Sequence, residues 1–266
     1  MIPTKANIAK WKEEKRQAKK NSKVHTKIAN TFIENAITNS NVNSLKTIYY
    51  LSTKLETVDM ENMKDEKIIG IKIDKREMLK YTDMSAPTLA KTAKVMQKTS
   101  ITFIDYDSDG DKVIEGMSLL PRYVFVPNKN IVELDLYVRI AKMIIDVKKN
   151  YTMMNIKEIM KLRKNHSVRM LSLLNRISTY KTNDENEWEI PKRKRMTLDE
   201  LNAFFGVNYK KWNMIEKDIL KPVKEELDAH STRSFIYEAN YENLGRGRPS
   251  FRDVTIDLIE NQPRLF

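Results

Sequence analysis

The chain has 266 residues, and 48 lysines and arginines against 36 aspartates and glutamates leave a formal net charge of +12. Its 41% hydrophobic content marks an ordinary globular chain, long enough for two domains, whose positive balance suits a polyanionic partner, nucleic acid first and a membrane surface second. With no cysteine there are no disulfides, zinc ribbons, thiolate catalysis or iron–sulfur clusters, and no apolar run approaches the ~20 residues of a spanning helix.

The leading arm, residues 1–22, is basic and helical in pattern; residues 1–30 carry nine Lys or Arg against Glu13 and Glu14. It lacks the apolar middle of a secretory signal, so a cytoplasmic location is expected. The arm reads either as a phosphate-contacting segment or as a solvated, frayed helix.

Helical patterns follow over 24–38 and 44–56, then a strand-like IIGIKI (68–73). KREMLKY (75–81) and SAPTLAKTAKVMQKT (85–99) read as two short helices, the second with Ser85 as N-cap and Pro87 in its first turn. Lys91, Lys94 and Lys98 on that helix are candidates for an auxiliary DNA contact. SITFIDYD, DKVIEGMSLL, RYVFVPN and IVELDLY alternate as strands do. Within them, DYDSDGDKVIE begins like a calcium loop with Asp105, Asp107, Asp109 and Gly110. The position that needs a bidentate Glu is Gly116, however, and a normally apolar one is Lys112, so a hairpin turn is the better reading.

The order then repeats. A linker near Lys148–Tyr151 would separate a first domain, 23–148, from a second, 149–266. NIKEIMKLR (155–163) and HSVRMLSLLNRISTY (166–180) are helical, and EWEI (187–190) resembles a short strand. PKRKRM (191–196), with Lys194 and Arg195, reads as a loop near backbone phosphates rather than a nuclear localisation signal. TLDELNAFFGV (197–207) opens with a capping box, Thr197 and Glu200. YKKWNMIEKDILKPVKEELDAHS (209–231) is a long basic helix interrupted by Pro222. Proline there removes a donor and clashes with the carbonyl four residues back, costing ~3 kcal/mol. The element should therefore be in two parts, either bent at the proline or ended at Lys221 and restarted. RSFIYEANYE (233–242) and RDVTIDLIE (252–260) form a two-strand ribbon joined by NLGRGRPSF. Its GRGRPS places Arg246 and Arg248 for a narrow minor groove or a phosphate, unless the turn merely tolerates arginine.

Helix, helix and ribbon, twice over, describe an α+β chain of two tandem winged-helix domains, each a helical bundle with a β-hairpin wing. In the second domain 197–207 braces and 209–228 reads the major groove. At about 100° per residue, Trp212, Ile215, Ile219, Val223 and Leu227 fall on one side of the reader. Lys210, Asn213, Lys217, Lys221 and Lys224 fall on the other, with Lys211 beside the first of them. In isolation a solvated lysine face explains such a stripe; the flanking brace and ribbon favour DNA contact. His25, His166 and His230 form no His-x-His pair for a metal-dependent nickase, and no GxxxxGK[ST] loop exists for ATP. No enzyme, cofactor or metal is expected.

MIEKDILKPVKEELDAHSTRSFIYE, with GRGRP before the last strand and HSVRMLSLL earlier, resembles the iteron-binding plasmid replication initiators, Rep proteins with two tandem winged helices. Ile219-Leu220-Lys221-Pro222-Val223 and Glu225-Glu226-Leu227-Asp228 match that family's reader helix. Ser167, Arg169, Leu173 and Leu174 match the helix opening its second domain, with Leu171 in place of the usual aromatic, and Gly247 and Arg248 match its wing turn. The resemblance spans roughly 23–260 and adds Lys164 and Arg169 to the DNA-contact candidates. It implies binding to directly repeated sites in a plasmid origin, opening of an adjacent A+T-rich duplex, and recruitment of a host initiator and replicative helicase. It also implies a homodimer in equilibrium with monomer and repression of the chain's own promoter. A winged-helix transcriptional repressor without an initiation role is the alternative.

Overall fold

The computed structural model describes residues 25–29, 41–106, 111–145, 151–178, 192–243 and 249–261. The basic arm, EWEI, the centre of the expected linker, and Arg246 and Arg248 lie outside the described residues.

The first half runs β1 (His25–Ala29), α1 (Val42–Leu55), β2 (Ile68–Asp74), α2 (Lys75–Thr82), α3 (Ala86–Lys98), β3 (Ser100–Tyr106), β4 (Lys112–Ser118), β5 (Arg122–Val126), β6 (Ile131–Tyr137) and α4 (Val138–Ile145). Polar side chains start the helices where the sequence places them. Asn41, Asp74 and Ser85 accept the orphan N–H groups of Ser44, Glu77 and Thr88 at the N-termini of α1, α2 and α3. β2, β6 and β5 form one antiparallel sheet in the order β2-β6-β5, and β3 and β4 form the hairpin. The calcium-like stretch spans that hairpin, with Asp105 paired to Val113 and Tyr106 to Lys112, and residues 107–110 between them lie outside the described residues.

The second half runs β7 (Tyr151–Asn155), α5 (Ile156–Lys161), α6 (Asn165–Ile177), β8 (Arg193–Met196), α7 (Leu198–Phe205), α8 (Trp212–Ile215), a π turn (Glu216–Leu220), α9 (Lys221–His230), β9 (Arg233–Glu242) and β10 (Ser250–Glu260).

Three expectations are corrected. The helical pattern over 24–38 begins instead as strand β1, which pairs antiparallel with β7, Ile28 opposite Thr152. Alternate residues Thr26 and Ile28 are both fully buried, so the short β-branched run follows a partner far away in sequence. PKRKRM is not a loop: Arg193–Met196 is a strand on β10, Thr255 opposite Arg195, and the expected two-strand ribbon is a three-stranded sheet, β8-β10-β9. Of its side chains only Met196 is buried, which leaves the basic run no apolar alternation to signal a strand. The third is the helix end at Lys221, one of the two alternatives for Pro222. The backbone stays helical through it, with φ −64° and ψ −44° at Leu220 and φ −60° and ψ −53° at Lys221. Lys221 N–H bonds the carbonyl of Glu216, five residues back. This wide turn gives the proline ring room and places its missing donor where the bonding pattern changes.

One hydrophobic core runs through both halves. Ten of the fourteen α1 residues are buried, because this helix packs against β1, α2, α3, α4, α5 and α6 together. The halves are also stitched by polar groups: Lys46 Nζ donates to the Met160 carbonyl at 2.6 Å, and the hydroxyls of Tyr49 and Ser172 share a buried hydrogen bond. Burial pushes the Tyr49 phenol up to about 12, against the opposing effects of Ser172 and the Arg169 charge. Among the described residues no helix is long and apolar enough to cross a membrane, and no three His, Cys, Asp or Glu side chains form a group that could hold a metal ion.

Candidate nucleic-acid interface

The brace α7 starts at the expected capping box, Thr197 and Glu200 exchanging backbone bonds, and ends at Gly206 with φ 67°, a left-handed position that suits glycine. Asn202 then ties brace to reader. Its amide donates to the Tyr209 carbonyl at 2.8 Å and its carbonyl oxygen accepts the Tyr209 N–H at 2.9 Å. This two-way bond sets where the reading helix begins.

All five residues of the expected apolar stripe, Trp212, Ile215, Ile219, Val223 and Leu227, are buried. Trp212 stacks on Phe251 of β10 at 4.7 Å and 6°, so helix and wing are locked together. Tyr237 of β9 donates to Glu216 in the π turn at 3.1 Å. Burial first, then that carboxylate, push the Tyr237 phenol up to about 12. At the far end, Glu226 is buried and accepts the N–H groups of Arg163 and Lys164 at 2.6 and 3.3 Å, which clamps the start of α6 against α9.

The opposite face separates into two groups. Lys210, Lys211, Asn213 and Lys217 are exposed, and among the described residues the three lysines make no ion pair. Lys221 lies 3.3 Å from Glu216, Lys224 is half-buried and 2.6 Å from Asp228, and Lys164 Nζ donates to the Pro222 carbonyl at 2.9 Å. The first group is available to a ligand without breaking protein contacts. The second is tied to groups on the reading helix: Lys221 and Lys224 to carboxylates of their own helix, and Lys164, from the start of α6, to its Pro222 carbonyl.

Arg169 does not join this surface. It is 6% exposed, with its guanidinium 5.2 Å from the Phe204 ring centre, and burial pushes it down to about 10 against the opposing effect of Tyr49. Lys194 and Arg195 lie on β8, Arg195 3.5 Å from Asp253. Lys91, Lys94 and Lys98 line the exposed face of α3 opposite buried Leu89, Ala93 and Met96. Sequence reasoning missed Arg252 of β10, which sits beside Lys210 and Lys211 in a cavity between brace, reader and wing. A lone Arg-Asp pair at a strand start carries no periodic signal.

The family model for the initiator replication protein WH1 domain matches residues 25–175, more than half of the chain, and the model for the initiator Rep protein WH2 domain matches 197–257. The chain belongs to the replication initiator family. Two winged-helix domains are therefore its architecture, and the brace, reader and wing described above lie within the WH2 match. No curated protein matches this initiator. Among solved structures its fold is similar to that of the Pi initiator protein in complex with iteron DNA, with TM-score 0.63 and 12% identity over 90% of this chain and 98% of that one.

Proposed function

We propose that this initiator acts at a plasmid origin by binding directly repeated double-stranded DNA sites through the helix 212–230, with the wing alongside. The observation that carries the reading is the exposed face of Lys210, Lys211, Asn213 and Lys217. Asn213 and Lys217 lie on a helix whose other face is fixed by Trp212, Ile215 and Ile219, while Lys210 and Lys211 stand just ahead of its first turn, which begins at Trp212 rather than at the expected Tyr209. A rigid helix with free cations at its edges and an amide between them has the chemistry of groove reading: Asn pairs with adenine, Lys with guanine, and the flanking charges with phosphates. The initiator seen with iteron DNA shares this fold, which supports the same class of ligand here. In this reading the protein works in the cytoplasm and cuts no DNA. A homodimer in equilibrium with monomer represses its own gene, and host initiator and helicase are recruited after binding.

Footprinting of the gene's own neighbourhood tests this. Protection of an array of direct repeats is expected; protection of one inverted repeat alone indicates a repressor instead. Asn213→Ala and Lys217→Ala should each lower affinity for one repeat by about 1–3 kcal/mol while leaving random-duplex binding nearly unchanged. An equal loss on both DNAs removes this helix from the reading role.

A further inference from the structure

The last strand is irregular at one point. Phe251 pairs with Tyr241 and Asp253 with Asn240, so Arg252 is the extra residue of a β-bulge. A bulge re-aims the side chain it carries. Arg252 lines the cavity of about 520 Å³ together with Lys210, Lys211, Trp212 and, on the brace side, Thr197 and Asp199. Three cations against one carboxylate leave this hollow positive.

What holds the arginine is the neighbouring carboxylate. Asp253 is 6% exposed and receives Arg252 Nε at 2.7 Å on one oxygen and Asn240 Nδ2 at 2.7 Å on the other. Arg195 Nε lies 3.5 Å from that second oxygen. Donors from β8, β9 and β10 therefore converge on one buried acid. Burial pushes its carboxyl up, but the bonds from Arg252 and Asn240 and the charges of Arg252 and Arg195 outweigh this and hold it below the usual carboxylate range. Both guanidinium groups turn Nε to the acid, and their terminal nitrogens make no hydrogen bond among the described residues. That geometry fits a phosphate, which a planar fork grips through two N–H groups.

We propose that Asp253 is a positioning residue that holds Arg252 and Arg195 for one phosphodiester of bound DNA, seated at the mouth of the cavity against Lys210 and Lys211. This rests on duplex binding as proposed above and adds a contact outside the reading helix. An acid beside a DNA surface ordinarily repels phosphates; this one serves binding by fixing two arginines.

The two roles predict opposite signs, which makes the test sharp. Asp253→Asn raises the net positive charge by one, so simple repulsion predicts tighter binding. Positioning predicts weaker binding. Full-length protein is titrated onto a random duplex, where a phosphate contact is read without sequence preference, over a series of salt concentrations, alongside thermal melting. A loss of about fivefold or more is expected for Asp253→Asn, with the salt slope falling by about 0.9, the value of one phosphate contact. Unchanged or tighter binding by a folded variant overturns the proposal. If Asp253→Asn does not fold, Arg252→Lys decides: it keeps the charge and loses the fork, and a wild-type affinity overturns the proposal equally. In the Arg252→Gln background Asp253→Asn should lose less than it does in wild type, since only Arg195 remains for it to position, and a full additive loss overturns the proposal. Wild-type protein that binds random duplex but not the repeats refutes the sequence-reading proposal alone and leaves this measurement valid; wild-type protein that binds no duplex refutes both.

Discussion

Replacing Pro222 by Ala should leave the reading helix in place. The substitution restores a backbone donor and removes a residue that costs ~3 kcal/mol inside a regular helix, so relaxation of the π turn to a regular α-helix is the obvious risk. That relaxation removes one residue's worth of wide turn. It would rotate Trp212–Ile215 by about 100° and shift it by about 1.5 Å relative to Lys221–His230. Trp212 and Ile215 are 8% and 0% exposed, and pulling two such side chains from the core forfeits about 1.5–3 kcal/mol each. The Trp212–Phe251 stack adds about 0.5–1.5 kcal/mol and the Tyr237–Glu216 bond about 1 kcal/mol. Holding the π turn is thus worth roughly 5–8 kcal/mol, more than the proline's removal releases. Ala also frees the unfolded chain, which offsets about 0.4–1 kcal/mol of the gain. Specific affinity of Pro222→Ala, measured by fluorescence anisotropy on one repeat and on random duplex, should stay within about threefold of wild type, under ~0.7 kcal/mol. Trp212→Ala in the same assay should lose specific binding and melt earlier. A tenfold or larger loss for Pro222→Ala at an unchanged salt slope would refute the reasoning, because the proline rather than the core anchors would then shape the reader.

DNA binding should survive chelation of divalent ions, and purified protein should leave supercoiled plasmid unnicked with Mg²⁺ or Mn²⁺ present; ion-dependent nicks on a gel would contradict this. Arg246→Ala with Arg248→Ala should weaken binding most where A·T pairs flank the core site, so equal losses with G·C flanks would reduce both residues to phosphate contacts. His166 is held below its ordinary value near 6.5 by burial and by the Arg169 charge, and its ring stands edge-on to Phe205. The unfolded chain therefore binds the proton more readily, and the stability this contributes is present above pH ~6.5 and falls away below it. Urea unfolding at about pH 7.5 and pH 5.5 should show a drop for wild type that shrinks in His166→Gln; an equal drop in both assigns the effect to other groups.

What was legible in the sequence were the elements whose signals are local. Ser85, Thr197 with Glu200, and the apolar stripe from Trp212 to Leu227 name their helices within a few residues, since a cap needs only its own turn and a stripe only its own period. β1 and β8 were illegible for the opposite reason. Ile28 meets Thr152, and Arg195 meets Thr255, so the pairing that makes each a strand lies outside any local window. The π turn was hidden too. The sequence shows the proline that demands an adjustment, but not whether the backbone meets the demand by ending, bending or widening.

The positions that carry the family resemblance also explain why it could indicate an initiator without indicating a DNA sequence. Glu226 faces inward to clamp Arg163 and Lys164, Arg169 lies against Phe204, and Ser167 is fully buried. Glu226 ties α6 to the helix 221–230 and Arg169 ties it to the brace, so these positions serve the frame rather than a ligand. Lys210, Asn213 and Lys217 stand among the motif positions or ahead of them, exposed and without a side-chain partner among the described residues. In the proposed reading their side chains answer to the ligand. A change there would leave the fold intact and alter which repeat is bound, whereas a change at Glu226 would disturb the reader on every DNA.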